Sequence, residues 1–277
     1  MKKLTHFAII AFFLFSLPLF AKYTSVTDST GFPQYCHYAA QNNNEFLSFR
    51  KSTQCLDVVD TVNKYQGIAY LKYLHADYPH LLNDLNHYIE NDNVGNPIKH
   101  SFGKYGKICP TSLRYLKILG DLEKLFSPKE PIKIIEIGGG YGGQCRILFQ
   151  SLPIAEYIII DLPEVLELIQ RYLEKNNIYN VTYMPPNEIP DSLSCDLLIS
   201  NYAFSECEKE IQTTYINKVL KNAKHGYMLC NYLSPDYRNF FCFAKNEIMK
   251  EMQKLNLNPI ILPEAPLTNK NNYLLIW

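Results

Sequence analysis

Eight cysteines are scattered through this 277-residue chain, and no two of them stand in a C-x-x-C pair. That excludes a zinc ribbon and a thioredoxin-type redox site, both of which need thiols at close, fixed spacing. A surplus of one charge is also missing, since lysine plus arginine and aspartate plus glutamate each number 27. Without a cationic excess there is no electrostatic case for nucleic acid, whose binding is dominated by neutralised phosphates. No internal repeat or low-complexity segment interrupts the text. The 21 tyrosines are abundant, and most read as core and edge packing, although such rings also suit a carbohydrate or aromatic substrate.

The one long apolar run lies at the start. Lys2 and Lys3 precede Phe7 to Phe20, and Ala21 closes the run before Lys22. Basic, then apolar, then small is the layout of a secretory signal peptide, and the run is too short to span a bilayer comfortably. Leu19 is a poor fit to the small residue expected two places before Ala21, so an uncleaved anchor is the alternative. The lysines favour a cytoplasmic N-terminus and hence an exported domain. Three segments are therefore expected: 1–21 as signal peptide or membrane anchor, 22–127 as a helical N-terminal extension or lid, and 128–277 as the main α/β domain. Cys145, Cys195 and Cys230 read as buried thiols, whereas Cys36 and Cys55 are the two expected to be available for pairing after export.

Chemistry concentrates in Lys133 to Gly143, Lys-Ile-Ile-Glu-Ile-Gly-Gly-Gly-Tyr-Gly-Gly. An apolar run after Pro131 reads as a buried parallel strand, and the glycines read as a tight turn into a helix beginning near Tyr141 or Gly142. Glycine admits backbone angles closed to other residues and lets a ligand approach the main chain. Two spacings overlap here. Gly138, Gly140 and Gly143 satisfy the G-x-G-x-x-G of a dinucleotide site, and Glu136, Gly138, Gly140 and Gly142 satisfy E-x-G-x-G-x-G. Glu136 decides between them. An acid at the end of the strand suits a cationic, amino-acid-bearing cofactor and repels a pyrophosphate.

The next apolar run, Tyr157 to Ile160, ends at Asp161. An acid about 20 residues beyond a glycine turn accepts hydrogen bonds from ribose hydroxyls. The competing role for Asp161 is capping the helix that Pro163 opens.

Upstream, Pro33 to Phe126 reads as helical. Leu56, Val59 and Val62 recur at helical spacing, as do Leu81, Leu82, Leu85 and Ile89. Asn91 to Pro97 and Ser101 to Cys109 read as loops, and a helix is expected from Thr111 to about Leu125. Downstream, strands are expected at Asn180–Met184, Asp196–Ser200 and Tyr227–Asn231, with helices over 208–222 and from about Arg238 to Leu255. Ile260–Leu262 and Tyr273–Trp277 form a closing strand pair. Alternating strands and helices imply a parallel sheet covered on both faces, and a closing pair without an intervening helix departs from a plain dinucleotide fold.

Together these motifs resemble the sugar O-methyltransferase family. The shared text is Gly95-Asn96-Pro97, Pro110 to Lys117, Ile135 to Gln144, Asp161 to Val165, and Ile199 to Glu206. The likeness runs from about Phe46 to the C-terminus. It implies a Rossmann-like class I methyltransferase fold: a seven-stranded mixed sheet with an antiparallel C-terminal strand. It also implies S-adenosyl-L-methionine as cofactor and a small-molecule or glycan substrate with a free hydroxyl. The leader is this chain's departure from the family, because the methyl donor is held in cytoplasm.

The expected cofactor residues are Glu136, Gly138, Gly140, Tyr141, Gly142, Asp161 and Leu162, with Asn201 and Tyr202 lining the pocket. Arg114 either meets the cofactor carboxylate or pairs on a helix surface. An alcohol needs a base within reach, and the candidates are Glu206, after the fourth strand, and His100, in a loop able to fold over the pocket. Glu206 and Asp236 alone make no metal signature, so no metal is expected. Two other function classes share the glycine turn: a nucleotide-dependent oxidoreductase or epimerase, and a non-catalytic exported protein that retains the fold.

Overall fold

The computed structural model describes residues 25–26, 30–231 and 242–277. The leader, Asp236 and the first part of the helix expected from Arg238 lie outside them. Among the described residues, no helix is long and apolar enough to cross a membrane.

The N-terminal extension contributes α1 (Phe32–Gln41) and α2 (Lys64–Asp77), joined by short helical turns. Pro33 sits in the first turn of α1, where a missing N–H costs nothing. A capping box starts α2: Asn63 accepts from the Gln66 backbone while the Gln66 side chain accepts from the Asn63 backbone. Then α3 (Pro110–Phe126) leads into the sheet and is buried over most of its length.

The sheet has β1 (Ile132–Ile137), β2 (Ile154–Ile160), β3 (Val181–Met184), β4 (Cys195–Asn201), β5 (Ala223–Cys230), β6 (Ile260–Pro263) and β7 (Tyr273–Ile276). In space they run β3-β2-β1-β4-β5-β7-β6. β1 to β5 pair in parallel, and β7 is antiparallel to both β5 and β6. Insertion of an antiparallel last strand beside the fifth gives the Rossmann-like class I methyltransferase fold. The helices between strands are α4 (Gly143–Phe149), α5 (Pro163–Lys175), α6 (Lys209–Lys218) and α7 (Lys245–Lys254).

Strand parity divides the core. Ile134, Tyr157, Ile159, Leu197, Ile199, Tyr227 and Leu229 face the side covered by the extension. Ile135, Ile158, Leu198, Met228 and Leu275 face α6 and α7. Burial on both faces is why the strands read as unbroken apolar runs. Residues of the extension and of the sheet belong to one hydrophobic cluster, so the extension packs as part of the core.

Several local expectations change. Only Thr53–Val58 of the Leu56–Val59–Val62 pattern is helical, because Asp60 is drawn inward to Arg50 at 2.8 Å and the chain leaves the helix there. The Leu81–Ile89 pattern breaks into the short helices Pro79–Asn83 and Leu85–Tyr88 and a 3-10 turn, Ile89–Asn93. The expected loop from Ser101 contains a small hairpin in which His100 pairs with Ile108 and Ser101 with Lys107. The helix over 208–222 ends at Lys218, with a 3-10 turn at Leu220–Asn222. Cys36 and Cys55 are buried, unbonded thiols, and burial pushes the Cys55 thiol up to about 12.

Candidate functional site

A cavity of about 1220 Å3 lies along the carboxyl edge of the sheet. It passes the ends of β2 (Asp161, Leu162), β1 (Gly138 to Gly140), β4 (Asn201, Tyr202) and β5 (Asn231), and reaches the β6–β7 connection (Thr268 to Asn272). Open α/β sheets bind ligands at this edge. Ligand pockets commonly measure about 300–1000 Å3, so the space is ample for two ligands side by side.

Glu136 occupies the penultimate position of β1 and is 1% exposed. It lies on the face toward the extension, where Tyr157 donates its hydroxyl to Oε2 at 2.8 Å. Burial, with a smaller contribution from the nearby Asp161 charge, pushes its carboxyl up to about 8. Such an acid is held neutral in the empty cavity, and a cation entering beside it would favour the carboxylate.

The glycines that follow have distinct reasons. Gly138 has a φ of 81°, and a Cβ there would stand 2.0 Å from that of Ala203. The glycine turn and the turn after β4 thus approach backbone to backbone. Gly140 also has positive φ and lines the cavity beneath Val59. Asp161 holds this turn in place, with Oδ2 accepting from the Gly139 N–H at 2.9 Å and Oδ1 from the Leu162 N–H at 2.8 Å. Leu162, not Asp161, is the N-cap residue of α5, so the capping alternative does not describe Asp161.

Two expected cofactor residues lie elsewhere. Tyr141 is fully buried and outside the cavity lining. Its ring sits among Phe49, Tyr115 and Tyr172 with the Arg50 guanidinium 4.4 Å from its centroid, and its hydroxyl accepts from Asn91. The side chain therefore anchors the glycine turn to the extension. Gly142 is the left-handed N-cap of α4, and its open side faces Ile169 and Leu173 of α5. Helix packing accounts for that glycine.

Arg114 is 6% exposed and lines the cavity. Nη2 donates to the Val59 carbonyl at 3.0 Å and Nη1 to Thr61 at 3.4 Å, while the guanidinium lies over the rings of Tyr115 and Tyr202. No acid pairs with it among the ion pairs of the described residues. Its Nε, the Gln144 Oε1 and the Asn201 Oδ1 are buried without partners, and all three residues line the cavity. An orphaned buried polar atom costs about 1–3 kcal/mol, a cost that a ligand carrying matching groups would relieve.

After β4 the chain takes a tight path. Tyr202 has a φ of 72°, uncommon for a bulky residue, and is held by its N–H to the Leu229 carbonyl. Glu206 ends the 3-10 turn Ala203–Glu206 and lines the cavity. Asn231 donates Nδ2 to its Oε1 at 2.7 Å, and burial raises the carboxyl above its ordinary value. Ser205, donating to the Asn231 side chain at 2.8 Å, fixes the amide that fixes Glu206.

His100, the other candidate base, sits in the hairpin and does not line the cavity. The covering role expected of its loop falls instead to Asp57–Val62 of the extension and to Thr268–Asn272. Those segments carry no motif, so the chain order alone does not reveal them. Among the described residues, no cluster of three or more His, Cys, Asp or Glu could hold a metal ion.

No protein-family model matches the chain, nor does any curated protein sequence. Solved structures do align with part of it. A candidate sarcosine dimethylglycine methyltransferase from Galdieria sulphuraria is 15% identical with a TM-score of 0.45, covering 56% of this chain and 66% of its own. A Haemonchus contortus phosphoethanolamine N-methyltransferase, in complex with phosphomonomethylethanolamine and S-adenosylhomocysteine, is 16% identical with a TM-score of 0.44, covering 55% and 39%. The methyltransferase domain of bacterial CtHen1 is 12% identical with a TM-score of 0.45, covering 59% and 96%. At that level of similarity the functional reading rests on the strand order, the glycine turn and the cavity.

Proposed function

We propose that the protein is an S-adenosylmethionine-dependent O-methyltransferase whose acceptor is a sugar hydroxyl. The carrying observation is the buried, uncompensated Glu136 beside the Gly138–Gly140 turn, with Asp161 one strand over on the same cavity. Glu136 suits the cationic amino-acid end of the cofactor, Asp161 its ribose, and Arg114 its carboxylate. The orphaned Nε, Gln144 and Asn201 atoms fit a ligand rich in polar groups. A pyrophosphate gains nothing from a protonated Glu136 and meets the acid of Asp161, which disfavours a dinucleotide.

Sugar recognition draws support from the remaining lining. Asn187, Asn201, Asn269 and Asn271 bring carboxamides to the lining, groups that can donate and accept as a polyhydroxylated neutral ligand requires. Among the described lining residues the acids Asp57, Glu136, Asp161 and Glu206 outnumber the cation Arg114, which disfavours an anionic acceptor.

When bound, the cofactor supplies an electrophilic methyl group, so the protein's contribution is alignment and proton removal. With the cofactor held by Glu136, Asp161 and Arg114, an acceptor hydroxyl placed in the same cavity would be aligned to receive that methyl group. Glu206, oriented by Asn231, takes the hydroxyl proton. Methyl transfer from radiolabelled cofactor to a panel of monosaccharides and glycosides tests this reading. Labelled methyl ethers are expected, and turnover confined to non-sugar acceptors would restrict the claim to the cofactor.

We also propose that the segment 1–21 directs export. A reporter active only outside the cytoplasm, fused after Lys22, should then signal, and a silent reporter would count against a working leader.

A further inference from the structure

Glu264 is 3% exposed, lies just past β6, and accepts four hydrogen bonds. Tyr202 donates its hydroxyl to Oε1. The Thr268 N–H and hydroxyl both donate to Oε2 at 2.7 Å, and Asn272 Nδ2 does so at 3.1 Å. Thr268, Asn272 and Tyr202 all line the cavity. A second tether, Gln66 Nε2 to the Thr268 carbonyl at 3.4 Å, joins the same wall to the extension.

Strand order gives this wall its role. Asp161 follows β2 and the β6–β7 connection lies beyond β5, so the two stand at opposite ends of the row of strand ends. If the cofactor lies over β1 and β2, the end beside Tyr202 and Thr268–Asn272 is left to the acceptor. We infer that Glu264 is a positioning residue, clamping the β6–β7 connection to Tyr202 and thereby fixing the acceptor end of the cavity. The inference rests on the two-substrate reading above, and it adds a residue that touches neither substrate.

The chemistry of the clamp makes it sensitive to charge and shape. A glutamine could turn its N–H2 group toward the Tyr202 oxygen, which accepts as well as donates, so the informative variant is Glu264→Leu, in which both acceptor oxygens are lost and all four donors are left without this partner. Tyr202→Phe removes only the bond to β4 and leaves Thr268 and Asn272 held. The test uses the full chain and three readouts: hydrogen exchange, calorimetric S-adenosylhomocysteine affinity, and methyl transfer to methyl β-D-glucopyranoside.

For Glu264→Leu, faster exchange confined to 265–272 is expected, with S-adenosylhomocysteine affinity within about twofold of the parent and the glycoside KM raised about tenfold or more. Tyr202→Phe should raise that KM while leaving exchange over 265–272 unchanged, a result that a purely structural role for Glu264 does not give. Unchanged exchange in Glu264→Leu, or a loss of S-adenosylhomocysteine affinity equal to the loss for the glycoside, would overturn the assignment. If the parent itself does not methylate the glycoside, the sugar reading fails, and exchange together with cofactor affinity still decides the clamp.

Discussion

At the scale of single residues, two cavity carboxyls whose proton affinity is raised by desolvation should set the pH behaviour. Burial holds Glu136 protonated up to about pH 8 when the cavity is empty. A bound cation favours its ionised form, so binding should release a proton between the ordinary glutamate range and about pH 8. Affinity should therefore rise with pH through that window and level off above it. Calorimetry of S-adenosylhomocysteine in buffers of different ionisation enthalpy reads the proton directly, and Glu136→Gln should abolish the release. The second carboxyl, Glu206, is also raised by burial and must lose its proton to act as a base. The acidic limb of kcat/KM should then lie above the ordinary glutamate range. Glu206→Gln should lower kcat by about 10²–10⁴-fold while cofactor affinity holds. Full activity in that variant would move the base role to another group or to water.

At the scale of elements, the turn after β1 and the turn after β4 are locked together where Gly138 meets Ala203. Gly138→Ala should lower stability by at least about 1–3 kcal/mol through its positive φ alone, with the clash against Ala203 adding to that. Urea denaturation checks it, and a variant as stable as the parent would show that the turns can separate freely. The inner strands β1, β2, β4 and β5 were legible in the sequence because their apolar runs are buried on both faces and glycine or proline stands near their ends. What was not legible is direction. The E-x-G-x-G-x-G text treats Tyr141 and Gly142 as neighbours of a ligand, yet the tyrosine side chain turns into the core and the second glycine serves the packing of α4 on α5. The Leu56–Val59–Val62 spacing failed for a related reason. A buried ion pair between Arg50 and Asp60, distant in kind from any helical period, ends the helix and sends Val59 over the glycine turn.

At the scale of the whole molecule, the extension and the sheet share one core, and Arg50 joins them. Its guanidinium pairs with Asp60, donates to the Asn91 carbonyl and covers the Tyr141 ring. Arg50→Ala leaves Asp60 and Asp92 buried without their cation and should cost about 3–5 kcal/mol, measurable as a lower denaturation midpoint. Cofactor affinity should fall with it, because Tyr141 anchors the turn that carries Gly140. The end of α3 is legible as the Ser127-Pro128 break, but the shared core is not, since contacts between distant segments leave no periodic trace. The central claim is that the cavity over β1 and β2 is built for S-adenosylmethionine. Calorimetric titration of the full chain with S-adenosylmethionine, S-adenosylhomocysteine and NAD tests it most directly. The account predicts saturable binding of the first two, no binding of NAD, and a loss of about 1–3 kcal/mol in Asp161→Ala from missing ribose hydrogen bonds. Binding of NAD with none of the sulfur cofactor, or affinity unchanged by Asp161→Ala, would contradict it.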